Sequence, residues 1–161
     1  MIVILMGVVG AGKTSVGTLL AQQLRWKFSD ADDFHPAANI EKIRRGIALN
    51  DNDRRPWLRL LRAQIKLWSS QGVSVVLACS ALKESYRQEL RASPEVQFVY
   101  LKGNADLIAR RLRLRQGHFA DAQILASQLA DLEEPQGAIT VDIDKPLEQI
   151  VSEIREELQL A

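Results

Sequence analysis

Gly7-Val8-Val9-Gly10-Ala11-Gly12-Lys13-Thr14 decides how the rest of the chain is read. The stretch meets the Gly-x-x-x-x-Gly-Lys-[Ser/Thr] pattern of a phosphate-binding loop, and its flanks have the required character. Ahead of it, Ile2, Val3, Ile4, Leu5 and Met6 form an unbroken apolar run, read as a strand buried on both faces of a parallel sheet. Behind it, Val16, Leu19, Leu20 and Leu24 recur at helical spacing. Glycines let the backbone curl closely enough for the N–H groups from Gly7 to Ser15 to gather round phosphates, and the helix N-terminus adds a favourable dipole. Lys13 reaches toward the β- and γ-phosphates, and Thr14 supplies a hydroxyl to Mg²⁺. No Asn-Lys-x-Asp guanine signature occurs in the chain, so ATP with Mg²⁺ is the expected pair.

Working outward, Lys27–Asp30 reads as a second strand, and residues 33–56 as an excursion from the sheet, with a helical fragment at Asn39–Arg45 that Gly46 ends. Asp53 is the expected N-cap of a helix with Pro56 in its first turn, an apolar stripe of Trp57, Leu60, Leu61, Ile65 and Trp68, and Gly72 at its end. Val73–Ala78 is the third strand, Lys83–Arg91 a helix and Val96–Leu101 the fourth strand; Asn104 caps a helix through Ile108 and Leu112. Ile124, Leu125, Leu129 and Leu132 mark another helix, Ile139–Ile143 a fifth strand, and Leu147 to Leu158 the last helix. Five apolar runs alternating with helices predict an α/β three-layer sandwich on a five-stranded parallel sheet, in one domain.

Composition narrows the function classes. A formal charge of +1, from 21 Lys plus Arg against 20 Asp plus Glu, gives no global field for nucleic acid or an anionic membrane. The apolar opening is too short for a signal peptide, nothing reaches membrane-spanning length, and Cys79 is the one cysteine. The expected address is the cytoplasm. Cys79 reads as buried structure, since nothing near it in sequence would stabilise a thiolate.

The third strand ends in Cys79-Ser80, without the acidic residue of a Walker B strand, so a magnesium-side carboxylate has to come from elsewhere. Asp30-Ala31-Asp32-Asp33, directly after strand two, is the obvious source, because strands one and two are expected to end at the same sheet edge. Asp30 and Asp32, at i and i+2, can point the same way: one to hold a metal-bound water, the other to accept the proton of an attacking hydroxyl.

Further segments extend this pattern: Phe34-His35-Pro36 with Asn39-Ile40-Glu41-Lys42; Leu49-Asn50-Asp51-Asn52-Asp53-Arg54-Arg55-Pro56-Trp57-Leu58; Cys79-Ser80-Ala81-Leu82-Lys83 with Tyr86-Arg87; Gly117-His118-Phe119; and Ser127-Gln128 through Glu134-Pro135. In this order the chain resembles the gluconate kinase family, sugar-acid relatives of shikimate and nucleoside monophosphate kinases. It departs from that family's pattern in the acid at Asp33 and the small Ala120 after an aromatic residue.

The resemblance implies ATP-dependent phosphorylation of D-gluconate to 6-phospho-D-gluconate, a lid at about 113–126, and a homodimer that binds neither nucleic acid nor membrane. It assigns catalysis to Lys13, Asp32 and Arg115, Mg²⁺ to Thr14 and Asp30, and nucleotide contacts to residues Gly7, Val8, Val9, Gly10, Ala11, Gly12, Lys13, Thr14 and Ser15 together with Arg111. Substrate contacts fall to Asp32, His35, Arg54, Ser80, Lys83, Arg87 and His118. The roles of Asp30 and Asp32 are exchangeable at this stage. Two alternatives stay open: a kinase for another small hydroxylated acid such as shikimate, and a nucleotide-binding module without turnover.

Overall fold

Strand β1 (Ile2–Met6) is buried along its whole length because it is the middle strand of a five-stranded parallel sheet, ordered β2-β3-β1-β4-β5. The other strands are β2 (Lys27–Asp30), β3 (Val75–Ala78), β4 (Val96–Lys102) and β5 (Ile139–Asp142). The helices are α1 (Lys13–Leu24), α2 (Ala37–Arg44), α3 (Asp51–Ser70), α4 (Glu84–Leu90), α5 (Ala105–Leu114), α6 (Phe119–Asp131) and α7 (Leu147–Glu157). The computed structural model describes residues 1–114 and 119–160.

Alternation along the strands divides the core into two layers. Val3, Leu5, Val76, Val99 and Val141 pack with Val16 and Leu20 of α1, Ile108 of α5 and Ile150 and Ile154 of α7. Ile2, Ile4, Met6, Val75 and Leu77 face the other way onto Trp57, Leu61, Ile65 and Trp68 of α3 and Leu90 of α4. This is the three-layer sandwich expected from the sequence. Each large apolar side chain buried here contributes about 1.5–3 kcal/mol relative to exposure.

Helix α3 begins earlier than its sequence suggests. The N-cap is Asn50, not Asp53: Asn50 Oδ1 accepts from Asp53 N at 2.8 Å, and Asp53 Oδ2 accepts from Asn50 N at 3.0 Å. This reciprocal capping box satisfies two helix-end donors. Pro56 therefore lies inside the helix and forgoes one backbone bond, without breaking it. Asp53 also takes both of its oxygens to Lys42 Nζ at 2.9 Å, joining α2 to α3. Leu60, expected on the buried stripe, is 51% exposed, and Leu58 is buried in its place.

The register brings the functional segments to one edge. Leu5 of β1 and Asp30 of β2 both pair with Ala78 of β3, so the phosphate loop, the acidic turn and Ser80 leave the sheet side by side. Of the lid expected at about 113–126, residues 115–118 lie outside the described residues, and the remainder belongs to the end of α5 and the start of α6.

Candidate active site

The loop between β1 and α1 curls because its glycines take backbone angles closed to other residues. Gly10 has φ 83°, and a Cβ on it would stand 2.8 Å from Leu112 Cγ of α5, so both backbone and packing require glycine there. Lys13 Nζ folds over the loop and donates to the carbonyls of Gly7 at 2.8 Å and Val8 at 2.9 Å. Val9 N donates to Gln128 Oε1 of α6 at 2.7 Å, which fixes the loop from outside.

A cleft of about 740 Å³ opens above this loop. Val9 through Thr14 and Ser15 form its floor, with Asp30, Asp32, His35, Arg54, Trp57 and Ser80 along one side and Arg111, Ser127, Gln128 and Lys145 along the other. The structure thus brings most of the sequence-derived candidates together in one cavity.

On the acidic side, Asp30 caps a short 3-10 turn, Ala31–Phe34, by accepting from Asp32 N at 2.9 Å. Burial raises the Asp30 carboxyl above its ordinary range, with the charges of Asp32 and Asp33 adding to the rise and the Asp32 N–H and Lys13 opposing it. Asp32 is raised as well, first by the protein walls around the cleft and then by Asp33, while Lys13 pulls it down. Solvent reaches 75% of the Asp32 side chain and screens these effects. The Lys13 charge acts on both carboxylates, and all three side chains line the same cleft.

His35 is fixed on two sides. Its ring stacks on Trp57 at 4.5 Å between centroids, and Trp57 Nε1 donates to Ala31 O at 2.7 Å. Asn39 Nδ2 donates both to Asp53 O at 2.7 Å and to His35 Nδ1 at 3.1 Å. An amide nitrogen has no acceptor, so Nδ1 is bare and the proton sits on Nε2, 3.8 Å from Asp32 Oδ1. Burial, reinforced by the Arg54 charge and opposed by Asp30, lowers the imidazole from 6.5 to about 4. His35 is a neutral donor aimed at the acidic wall.

Arg54 is 6% exposed. Its Nη1 donates to Tyr86 Oη at 2.8 Å and to Asp131 Oδ2 at 2.9 Å, so its partner is on α6 and not the neighbouring Asp51 or Asp53. Asp51 instead accepts from Tyr86 Oη and from Lys83 Nζ, the latter at 3.0 Å.

The remaining candidates have different surroundings, and two of them, Lys83 and Arg87, need correction as cleft residues. Lys83 does not line the cleft; its ammonium is taken up by Asp51 and by the Tyr86 ring face, 5.7 Å from the centroid. Arg87 is 1% exposed and structural: it donates to Ala81 O at 2.7 Å, Glu133 O at 2.8 Å and Glu84 Oε2 at 2.9 Å. Gly7 and Val8 are buried behind the loop, and the cleft begins at Val9. Arg111 lines the cleft and donates to Ile143 O at 2.7 Å. Arg115 and His118 lie outside the described residues. Cys79 is buried, which pushes its thiol up to about 12.

Sequence reasoning passed over Trp57 as a wall of the cleft, Gln128 as the loop's outer support and Lys145. The signal for Lys145 was its place just after the fifth strand, at the edge where α/β ligands bind. The stacked Trp57 carried no signal beyond its position on a helix stripe.

Comparison with known proteins places these features in a family. The shikimate kinase family model matches residues 9–159. A probable gluconokinase of Xenopus tropicalis is 43% identical, over 98% of this chain and 93% of that protein. The thermoresistant gluconokinase of Escherichia coli strain K12 is 45% identical, over 94% of this chain and 89% of that protein. Among solved structures, a sugar kinase from Janibacter sp. HTCC2649 superimposes with a TM-score of 0.93 at 41% identity, covering 99% of this chain and 95% of that one.

Proposed function

We propose, from the premise that this chain belongs to the gluconokinase family within the wider shikimate kinase group, that it transfers the γ-phosphoryl group of ATP to the terminal hydroxyl of D-gluconate. The products are ADP and 6-phospho-D-gluconate. The observation that carries this reading is the position of Lys13, on the phosphate loop yet in electrostatic reach of Asp30 and Asp32 across the same cleft. A donor phosphate and an acceptor hydroxyl bound on these two walls would meet at that point.

The amides of residues 10–15 hold the phosphates while Val9, its N–H taken by Gln128, lines the floor beside them, with Ser15 and Arg111 completing the nucleotide side. Lys13 leaves its loop carbonyls for the β- and γ-phosphate oxygens, which are stronger, charged acceptors. The Thr14 hydroxyl and the Asp30 carboxylate are hard oxygen donors on adjacent walls, a set suited to Mg²⁺ that keeps most of its waters. When bound, that ion neutralises charge on the phosphate oxygens. Asp32 accepts the proton of the attacking hydroxyl. His35, through Nε2–H, and Arg54, through its guanidinium, hold the hydroxyls and carboxylate of the acid. Ser80 adds a hydrogen bond from the end of β3. Arg115 and His118, on the expected lid, contact the transferring phosphoryl group and the acceptor.

Work in the cytoplasm and assembly as a homodimer complete the proposal. A coupled assay of ADP release tests it, with D-gluconate, other sugar acids and shikimate as acceptors. The expected result is turnover with D-gluconate well above the rest; a preference for shikimate, or ATP binding without turnover on any acid, would refute it.

A further inference from the structure

Helix α6 touches both halves of the cleft through side chains one turn apart. Gln128 accepts from Val9 N of the phosphate loop at 2.7 Å, and Asp131 accepts from Arg54 Nη1 at 2.9 Å. Residues at i and i+3 lie on one face of a helix, so a single rigid surface meets the nucleotide floor and the acceptor wall together. The end of that helix is anchored independently of either contact. Glu133 N donates to Leu82 O at 2.8 Å, Glu133 O accepts from Arg87 Nη2 at 2.8 Å, and Glu133 Oε1 accepts from Glu84 N at 3.0 Å. These bonds tie α6 to the segment after β3, and Arg87, which supplies one of them, is itself buried.

The two contacts differ in kind. Gln128 gives a neutral carbonyl to one loop amide, and is that amide's hydrogen-bond partner among the described residues. Asp131 gives a charge to a guanidinium that is 6% exposed and, among the described residues, otherwise hydrogen-bonded through the same Nη1 to Tyr86. Removing the first frees loop backbone. Removing the second leaves the aim of Arg54 to a single neutral hydrogen bond.

We propose that Gln128 and Asp131 are positioning residues, with Gln128 setting the phosphate loop for the nucleotide and Asp131 setting Arg54 for the acceptor. The Asp131 half rests on the reading of Arg54 as an acceptor contact. The Gln128 half needs only nucleotide binding.

The test uses the full chain and three variants, Gln128→Leu, Asp131→Asn and Asp131→Glu. Titration calorimetry gives the Kd for Mg-ATP without acceptor, steady-state kinetics give the KM for D-gluconate, and thermal unfolding reports stability. Loss of one positioning hydrogen bond predicts a roughly tenfold rise in the ATP Kd for Gln128→Leu, with the gluconate KM within about twofold of the parent. Asp131→Asn should show the reverse pattern of about the same size, because a charge-assisted bond becomes a neutral one. Asp131→Glu keeps the charge and should recover most of the gluconate KM, and it serves as the second variant should the amide fold poorly. Lower unfolding temperatures with both constants unchanged, or equal changes of both constants in each variant, would overturn the proposal. A parent protein that binds ATP but does not turn over gluconate would instead defeat the acceptor reading, and the Gln128 half would still be decided by the ATP titration.

Discussion

His35 lies flat against Trp57, the two rings 4.5 Å apart and 11° from parallel, and this contact braces the wall of the cleft that carries Asp30 and Asp32. Trp57 belongs to the core layer under α3, while its indole N–H holds the carbonyl of Ala31 between the two acidic residues. One buried tryptophan therefore sets the position of a histidine and of the turn that carries Asp30 and Asp32.

Acidification should test the burial of that histidine. Because the folded protein holds His35 at about 4 against 6.5 for the free side chain, the unfolded chain takes up a proton between those values that the folded chain refuses. Stability is then unaffected above 6.5 and falls as the pH drops toward 4, by up to about 3 kcal/mol from this residue. Urea unfolding at about pH 7 and about pH 5 should show a smaller loss for His35→Gln than for the parent. Equal losses would mean that other groups account for the acid sensitivity.

Lys13→Ala should fold and yet lose most phosphoryl transfer. The loop keeps its glycines and its bond to Gln128, while the charge proposed to act on the phosphates is gone. A preorganised donor of this kind contributes ~3–4 kcal/mol to the transition state. Single-turnover kinetics on the folded variant provide the check, and a rate near that of the parent would remove Lys13 from the mechanism.

Asp32→Asn separates a base from a turn former. The amide keeps the shape of the side chain but takes no proton, so kcat with gluconate should fall by about 10²–10⁴-fold, the lower end being expected for a loose phosphoryl-transfer transition state. ATP affinity should stay within a few-fold of the parent. Unchanged kcat would assign Asp32 to the turn alone, and lost Mg-ATP binding would move the metal role from Asp30 to Asp32.

Arg87→Ala should destabilise the fold without altering substrate recognition. Three acceptors lose their donor, and the side chain is 1% exposed, so the loss is on the order of 3–5 kcal/mol. Denaturant titration measures the loss. A folded Arg87→Ala protein with a raised gluconate KM and undiminished stability would return the residue to the acceptor site.

The residue order by itself determined the phosphate loop, the five parallel strands, the acidic turn and the family, because each is written in local chemistry: glycine spacing, apolar periodicity and carboxylates next to a strand end. The differing fates of its candidate cations have a common origin. Arg54, Lys83 and Arg87 are alike as sequence, three cations near strand or helix ends, yet one lines the cleft, one pairs with Asp51 near the surface and one is sealed inside. Which of these fates a cation meets depends on partners far along the chain: Asp131 for Arg54, 77 residues away, and Glu133 for Arg87, 46 residues away. The same holds for Gln128, whose bond to Val9 spans 119 residues. Local pattern carries no record of such distant pairings. Only the packing of α6 across the sheet edge brings them together, because hydrogen bonds form between groups that the fold makes neighbours, whatever their separation in sequence.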